Sequence, residues 1–387
     1  MGNASETSFI SKISKDHDFL LGVIYTIFGV FSLTGNTVLL LVAYQKKSSL
    51  KPAEFFIVNL SISDLGMTIS LFPFAISSAF SHRWLFTESV CLCYAFCGVL
   101  FGLCSLSNLT VLSSVCWFKV CCPNYGNKFS SSHAVLLVVG VWCYSAIFAV
   151  GPLSGWGQYS HEPYGTACCI DWFAPHDSLL AMSYIICLFF FCYIVPCTII
   201  FLSYAFILVT VRGSRQAIQQ HVSPQNKIIN AQTRIIKLSV AVCIGFLVAW
   251  SPYAAVSMWA VFVNPDAVPP IAFATAAVFA KSSTLYNPLI YLGFKPNFRR
   301  SLRRRTLCSC LCRPETVRKN ADKENCHSTH NSSGPHKSHR TCRYCLDHTS
   351  GHCLDIMPQR TVRILTGCTH SEVAVSQMSN EMQSDFL

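Results

Sequence analysis

The chain has 387 residues, of which 52% are apolar and only 12% charged, about half the charged share of a typical soluble domain. So little charge excludes an ordinary soluble globule. The net charge of +11 lies beside apolar runs and in the C-terminal third rather than on one soluble face, which excludes a nucleic-acid binder.

Residues 1–18 are polar and read as an N-terminal tail with no cleavable signal, because the apolar run behind them is too long for a signal core. Crossing a bilayer takes about 20 mostly apolar residues. Seven such runs follow, near Phe19–Tyr44, Phe55–Phe80, Ser89–Phe118, Ala134–Pro152, Ser178–Val211, Leu238–Val263 and Ala267–Leu292. Five hold no Asp, Glu, Lys or Arg; the second holds only Asp64 and the seventh only Lys281. Residues 19–294 are thus predicted as an all-α membrane protein, a seven-transmembrane-helix bundle. Residues 295–307 read as a short amphipathic cytoplasmic helix, with Phe294, Phe298 and Leu302 toward lipid and a basic opposite face. Cys308, Cys310 and Cys312 follow directly and are palmitoylation candidates. The tail, 308–387, is polar and reads as disordered. Its Cys342, Cys345, Cys353 and neighbouring histidines lack the small surrounding fold that a zinc site needs, so no metal site is predicted.

Orientation follows from the connecting segments. Those after spans one, three, five and seven carry sixteen Lys and Arg residues close to the spans, against Lys12, Lys15 and Arg83 on the other side. The positive-inside bias predicts an extracellular N-terminus, a cytoplasmic C-terminus and a multi-pass protein of the plasma membrane. The sequon at Asn3 then falls outside, where glycosylation is expected; the one at Asn108 lies within a span. Of the 22 cysteines, fourteen lie before residue 250, mostly inside apolar runs, where Cys acts as a small hydrophobe.

Ionisable residues at membrane depth are costly and mark function. Asp64 shares its depth with Asn36 and Asn287, which suggests a polar cluster holding water or sodium. Lys281 lies about ten residues from either end of its span, too deep to snorkel. Burial disfavours its cation, and a neutral amine attacks carbonyls to form Schiff bases.

At these residues the chain resembles the opsins of the rhodopsin-type receptor superfamily, nearest the neuropsin branch of non-visual opsins. The resemblance covers roughly residues 20 to 310. It rests on Gly35-Asn36, Asn59-Leu60 with Asp64, Trp142, Pro196, Ala249-Trp250-Ser-Pro252-Tyr253, Ala280-Lys281-Ser-Ser and Asn287-Pro288-Leu-Ile-Tyr291. It implies retinal, 11-cis or all-trans, bound to Lys281 as a Schiff base, with Trp250, Tyr253 and Tyr94 around it. It implies a disulfide between Cys91 and Cys168, Cys93 being the competing partner. Tyr94 stands where many visual opsins keep a glutamate, so Glu162, in the second outer loop, takes the counterion role. Asn36, Asp64, Asn287 and Tyr291 match the family's polar switch network.

Two departures matter. Val115, Cys116 and Trp117 occupy the positions of the usual Asp/Glu-Arg-Tyr, and Gln232 stands where an acidic partner is often found. Cys169 leaves a thiol beside the retinal pocket, where thiolate addition to the polyene would give a self-recovering photoproduct. The expected function is a light- or retinoid-responsive receptor that couples to a heterotrimeric G protein, with retinal and membrane lipid as its other partners. The rival is a retinal photoisomerase, favoured by the missing arginine.

Overall fold

In the computed structural model, described over residues 10–45, 50, 52–126, 128–218, 226–263 and 268–294, seven long helices account for the seven apolar runs. In chain order they are α1 (Lys15–Gln45), α2 (Pro52–Phe80), α3 (Glu88–Cys121), α4 (Ser131–Val150), α5 (Leu179–Phe189, a π turn Phe190–Ile194, then Val195–Ile218), α6 (Asn226–Phe262) and α7 (Pro270–Phe294). The π turn falls just before Pro196, whose missing N–H leaves one carbonyl to find another donor. Six of the helices are long and apolar enough to cross a membrane on their own. The seventh is diluted by Lys281, Ser282, Ser283, Thr284 and Asn287, the residues that face the interior.

Most helices overrun their apolar runs at one end or both, most of all α6, which starts twelve residues before Leu238, whereas α7 starts three residues inside its run. Hydropathy marks where lipid begins, whereas backbone hydrogen bonding continues through polar turns.

The outer surface of the bundle is apolar: Phe201 is 72% exposed, Val209 70% and Leu136 69%. Exposure of that kind suits lipid and would not suit water. Inside, α3 is the central post, packed against α2, α4 and α5, while α1 lies on α2 and α7, and α6 on α7. Among the described residues two large apolar clusters fill the interior, one toward each end, with a small third around Leu39 and Tyr291, and Trp250 touches both large ones.

One short sheet caps the bundle between α4 and α5. Its strands, β1 (Tyr159–His161) and β2 (Cys168–Ile170), pair antiparallel with His161 opposite Cys168 and Ser160 opposite Cys169. The turn between them needs Gly165, whose φ of +95° side chains rarely adopt. An added Cβ there would also meet the Ile10 carbonyl at 3.0 Å. The N-terminal strap crosses at that point: the Ser11 hydroxyl donates to the Tyr164 carbonyl at 3.0 Å, and the Ser11 N–H to the His82 carbonyl. Asn3, the 295–307 helix, the cysteines at 308, 310 and 312 and the rest of the tail lie outside the described residues.

Candidate functional site

Alternation along β2 sends neighbouring cysteines to opposite faces. Cys168 points to α3 and is bonded to Cys91; Cys93 is a free, exposed thiol. The bond pins the hairpin over the bundle mouth. The sulfurs and the His161 ring lie near one another, but joined sulfurs are not metal-ligating thiolates. Cys169 faces the other way, into a cavity of about 170 Å³ between α3, α5, α6, α7 and the hairpin. On that measure one water needs roughly 10–15 Å³, so the space admits a sizeable organic molecule.

Lys281 enters this cavity from the middle of α7 and is 8% exposed. Its Nζ lies 5.3 Å from the centre of the Tyr25 ring and 5.9 Å from that of Tyr94. Among the described residues no carboxylate oxygen comes within 4.0 Å of it.

A buried acid hangs from the hairpin and lines the same cavity. Glu162 is 5% exposed, and its backbone N–H is held by the Ala167 carbonyl at 2.8 Å. The Tyr253 hydroxyl donates to its Oε1 at 2.9 Å, while the Trp172 indole donates to that hydroxyl at 3.3 Å. Its Oε2 is buried and has no hydrogen-bond partner among the described residues. Burial pushes the Glu162 carboxyl up from the ordinary range, against the charge of Lys281 and the Tyr253 hydrogen bond, which pull it down. Burial likewise pushes the Cys169 thiol well up, and the charge of Glu162 adds to the effect. Cys169 donates to the Ile170 carbonyl at 2.9 Å, so it is a neutral thiol at rest.

Trp250 and Tyr253, three apart on α6, share the cavity face, with ring centres 6.4 Å apart. The Trp250 indole donates to Ser283 Oγ at 3.1 Å, tying α6 to the α7 turn that carries Lys281. Gly102 of α3 makes room for it: an added Cβ would lie 3.0 Å from the indole. Tyr94 lines the same cavity.

Deeper in the bundle, the Asn287 amide donates to Asp64 Oδ2, joining α7 to α2. Asn36 does not close onto that carboxylate. Its amide donates to the Thr284 carbonyl at 3.0 Å, and Ser32 and Thr68, 2.6 Å apart, complete a ladder across α1, α2 and α7. Tyr291 is buried beside Leu39. At the far end, Cys116 meets Ser239 Oγ at 3.8 Å, and Tyr204 meets Cys243 Sγ at 3.6 Å. The α3–α6 contact is therefore thiol to hydroxyl. The side chain of Gln232 lies outside the described residues.

Sequence reasoning missed Tyr25, Trp172, Ser283 and Gly102. Ser283 sits within the quoted Lys281 motif and was within reach. The others carry no signal that sets them apart from packing residues.

The comparisons agree with this architecture. Residues 35–291 match the family described as 7 transmembrane receptor (rhodopsin family). Opsin-5 of Mus musculus is 35% identical over 286 residues, 74% of this chain and 76% of the mouse protein. The visual pigment-like receptor peropsin of Homo sapiens is 30% identical, over 78% of this chain and 89% of its own length. The crystal structure of squid rhodopsin superposes with a TM-score of 0.71 at 28% identity, covering 78% of this chain and 89% of the squid chain. The chain is thus a multi-pass membrane protein of the rhodopsin family of seven-transmembrane receptors, and within that family it belongs with the non-visual opsins.

Proposed function

We propose that this receptor binds retinal through Lys281 and couples the shape of the bound isomer to a heterotrimeric G protein. The observation that carries the reading is one buried amine in an apolar cavity, with one buried carboxylate suspended over it from the hairpin. The residues present fit the group: a nucleophile, a counterion with an uncommitted oxygen, and aromatic walls. Retinal, held as a Schiff base, supplies light absorption and a change of shape on isomerisation.

The protein does the rest. Glu162 balances the charge at the Lys281 nitrogen, and Tyr253 with Trp172 fixes where that carboxylate sits. Trp250 rests against the cavity and is tied to α7, so pressure on it bears on the α6–α7 contact. A ligand shifts a conformational balance only by binding one state better, and Trp250, which lines the cavity, would be the residue that distinguishes ligands of different shape. The Asn36 bond to the Thr284 carbonyl and then the Asp64–Asn287 bond are the contacts that follow along α7.

Sixteen basic residues beside the spans support a cytoplasmic C-terminus, an extracellular N-terminus with glycosylated Asn3, and palmitoylation at Cys308, Cys310 and Cys312. They also give the inner face its attraction for G protein and anionic lipid. We assign Cys169 the role of a reversible nucleophile toward a conjugated chain held in the cavity: it would offer its sulfur after illumination, with Glu162 taking its proton and returning it in the dark. Cys169→Ser then abolishes slow dark recovery; an unchanged photocycle ends the assignment.

A second reading, a photoisomerase with little signalling, is favoured by Cys116 in the arginine position. Steady illumination of purified protein separates the two readings. Nucleotide exchange on added G protein, with retinal retained, supports the receptor. Free isomerised retinal without exchange supports the enzyme.

A further inference from the structure

Buried polar atoms in folded proteins almost always find a partner, either protein or ordered water. Here the exceptions gather in one place. Seven buried side-chain atoms without a hydrogen-bond partner among the described residues lie at the hairpin end: Asp18 Oδ1, Ser78 Oγ, Trp84 Nε1, Glu162 Oε2 and the hydroxyls of Tyr25, Tyr94 and Tyr164. All but Asp18, Ser78 and Glu162 belong to one packed cluster. Polar orphans in such numbers are what buried water satisfies.

The cluster has direction. At its mouth the Asp18 carboxylate, itself fully buried, pairs with His82, which keeps part of its ring in the open. Asp18 and Tyr25 are seven apart on α1 and so share a face, and helical side chains lean toward the N-terminus. The Tyr25 hydroxyl therefore climbs toward Asp18 while its ring stays under the Lys281 amine. Tyr25 lies within electrostatic reach of Asp18, Tyr164 and Glu162, and Tyr94 within reach of Tyr25 and Glu162. These buried hydroxyls thus lie packed together between the mouth and the amine.

We propose that Asp18, Tyr25, Tyr94 and Tyr164 line an internal water-bearing proton path. It joins the Asp18–His82 pair to the Lys281 nitrogen and Glu162, so that this nitrogen exchanges its proton with the medium on the hairpin side. Each hydroxyl accepts one proton and passes on one of its own, so the path moves protons without net change at any member. The proposal rests on retinal being held by Lys281 only for its second test.

The first test needs no retinal. Radiolytic labelling of the chromophore-free chain in ¹⁸O-water marks aromatic rings that touch bound water. Tyr25 and Tyr164 are expected to label despite full burial, while the equally buried Phe72 and Phe273 do not. Tyrosines as silent as these phenylalanines would overturn the path. The second test follows deuterium exchange at the Lys281 nitrogen by its C=N vibration in the retinal-loaded chain. Tyr25→Phe, which keeps the ring, and Asp18→Asn are each expected to slow exchange at least tenfold. Exchange at the parent rate in both variants overturns the proposal. No absorption band even in the parent chain would instead sink the retinal reading and leave the labelling result to decide the path.

Discussion

Replacing Tyr253 with phenylalanine removes one hydroxyl and keeps the ring, which packs against Trp172, Trp250 and Phe273 at centre distances of 6.0 to 6.5 Å. The loss falls on Glu162 Oε1, which accepts from that hydroxyl at 2.9 Å, while Oε2 has no partner to compensate. A hydrogen bond to a charged group contributes about 1.5–3 kcal/mol, and roughly 1.4 kcal/mol is tenfold in an equilibrium. The substitution should therefore move the Glu162 acid–base balance ten- to a hundredfold toward the neutral acid. Burial already pushes that carboxyl up, so the variant protonates at still higher pH. The assay is a pH titration of the absorption spectrum of the retinal-loaded chain. A weakened counterion should enlarge the short-wavelength, unprotonated band at neutral pH at the expense of the visible one. Trp172→Phe, which removes only the donor to Tyr253, should do the same to a smaller extent. Superimposable titrations of parent and Tyr253→Phe would refute the claim that this hydroxyl holds the counterion.

Gly102→Ala places a Cβ 3.0 Å from the Trp250 indole; overpacking of this kind costs about 1–3 kcal/mol, read as a lower thermal midpoint, and should raise dark nucleotide exchange. A midpoint equal to the parent's would mean the indole moves freely. Asp64→Ala strands the Asn287 amide in the interior at a cost of about 1–3 kcal/mol, whereas Asp64→Asn keeps an acceptor and should lose less; equal midpoints for the two variants would count against a Asp64–Asn287 bond. In the chromophore-free chain, Glu162 is held above its ordinary range, so the folded state binds the proton more tightly than the unfolded state. Its contribution is therefore full at low pH and is lost as pH rises through the raised value. Glu162→Gln should remove that slope and melt higher than the parent at neutral pH, and parallel pH–stability profiles would contradict it.

The spans were legible because a bilayer demands long apolar runs, and Lys281 because an unpaired charge at that depth has few innocent explanations. Helix ends were less legible, since lipid contact and helicity stop at different residues, as α6 shows. The proposed counterion, Glu162, was reached through resemblance: nothing in the sequence around it says that a hairpin will carry it to Tyr253 on α6, ninety-one residues away. Tyr25 was invisible for a related reason. One tyrosine in an apolar span reads as packing until the fold sets its ring beneath the Lys281 amine. The polar cluster was legible by depth but not by wiring, since Asn36 bonds to the Thr284 carbonyl rather than to Asp64.

The proposed function stands or falls with Lys281 as the residue that holds retinal. The most direct measurement is the absorption spectrum of purified protein given 11-cis and all-trans retinal separately, with Lys281→Ala alongside. A light-sensitive band is expected in the parent chain with at least one isomer, and none in the variant. A band that survives Lys281→Ala, or no band with either isomer, would contradict it.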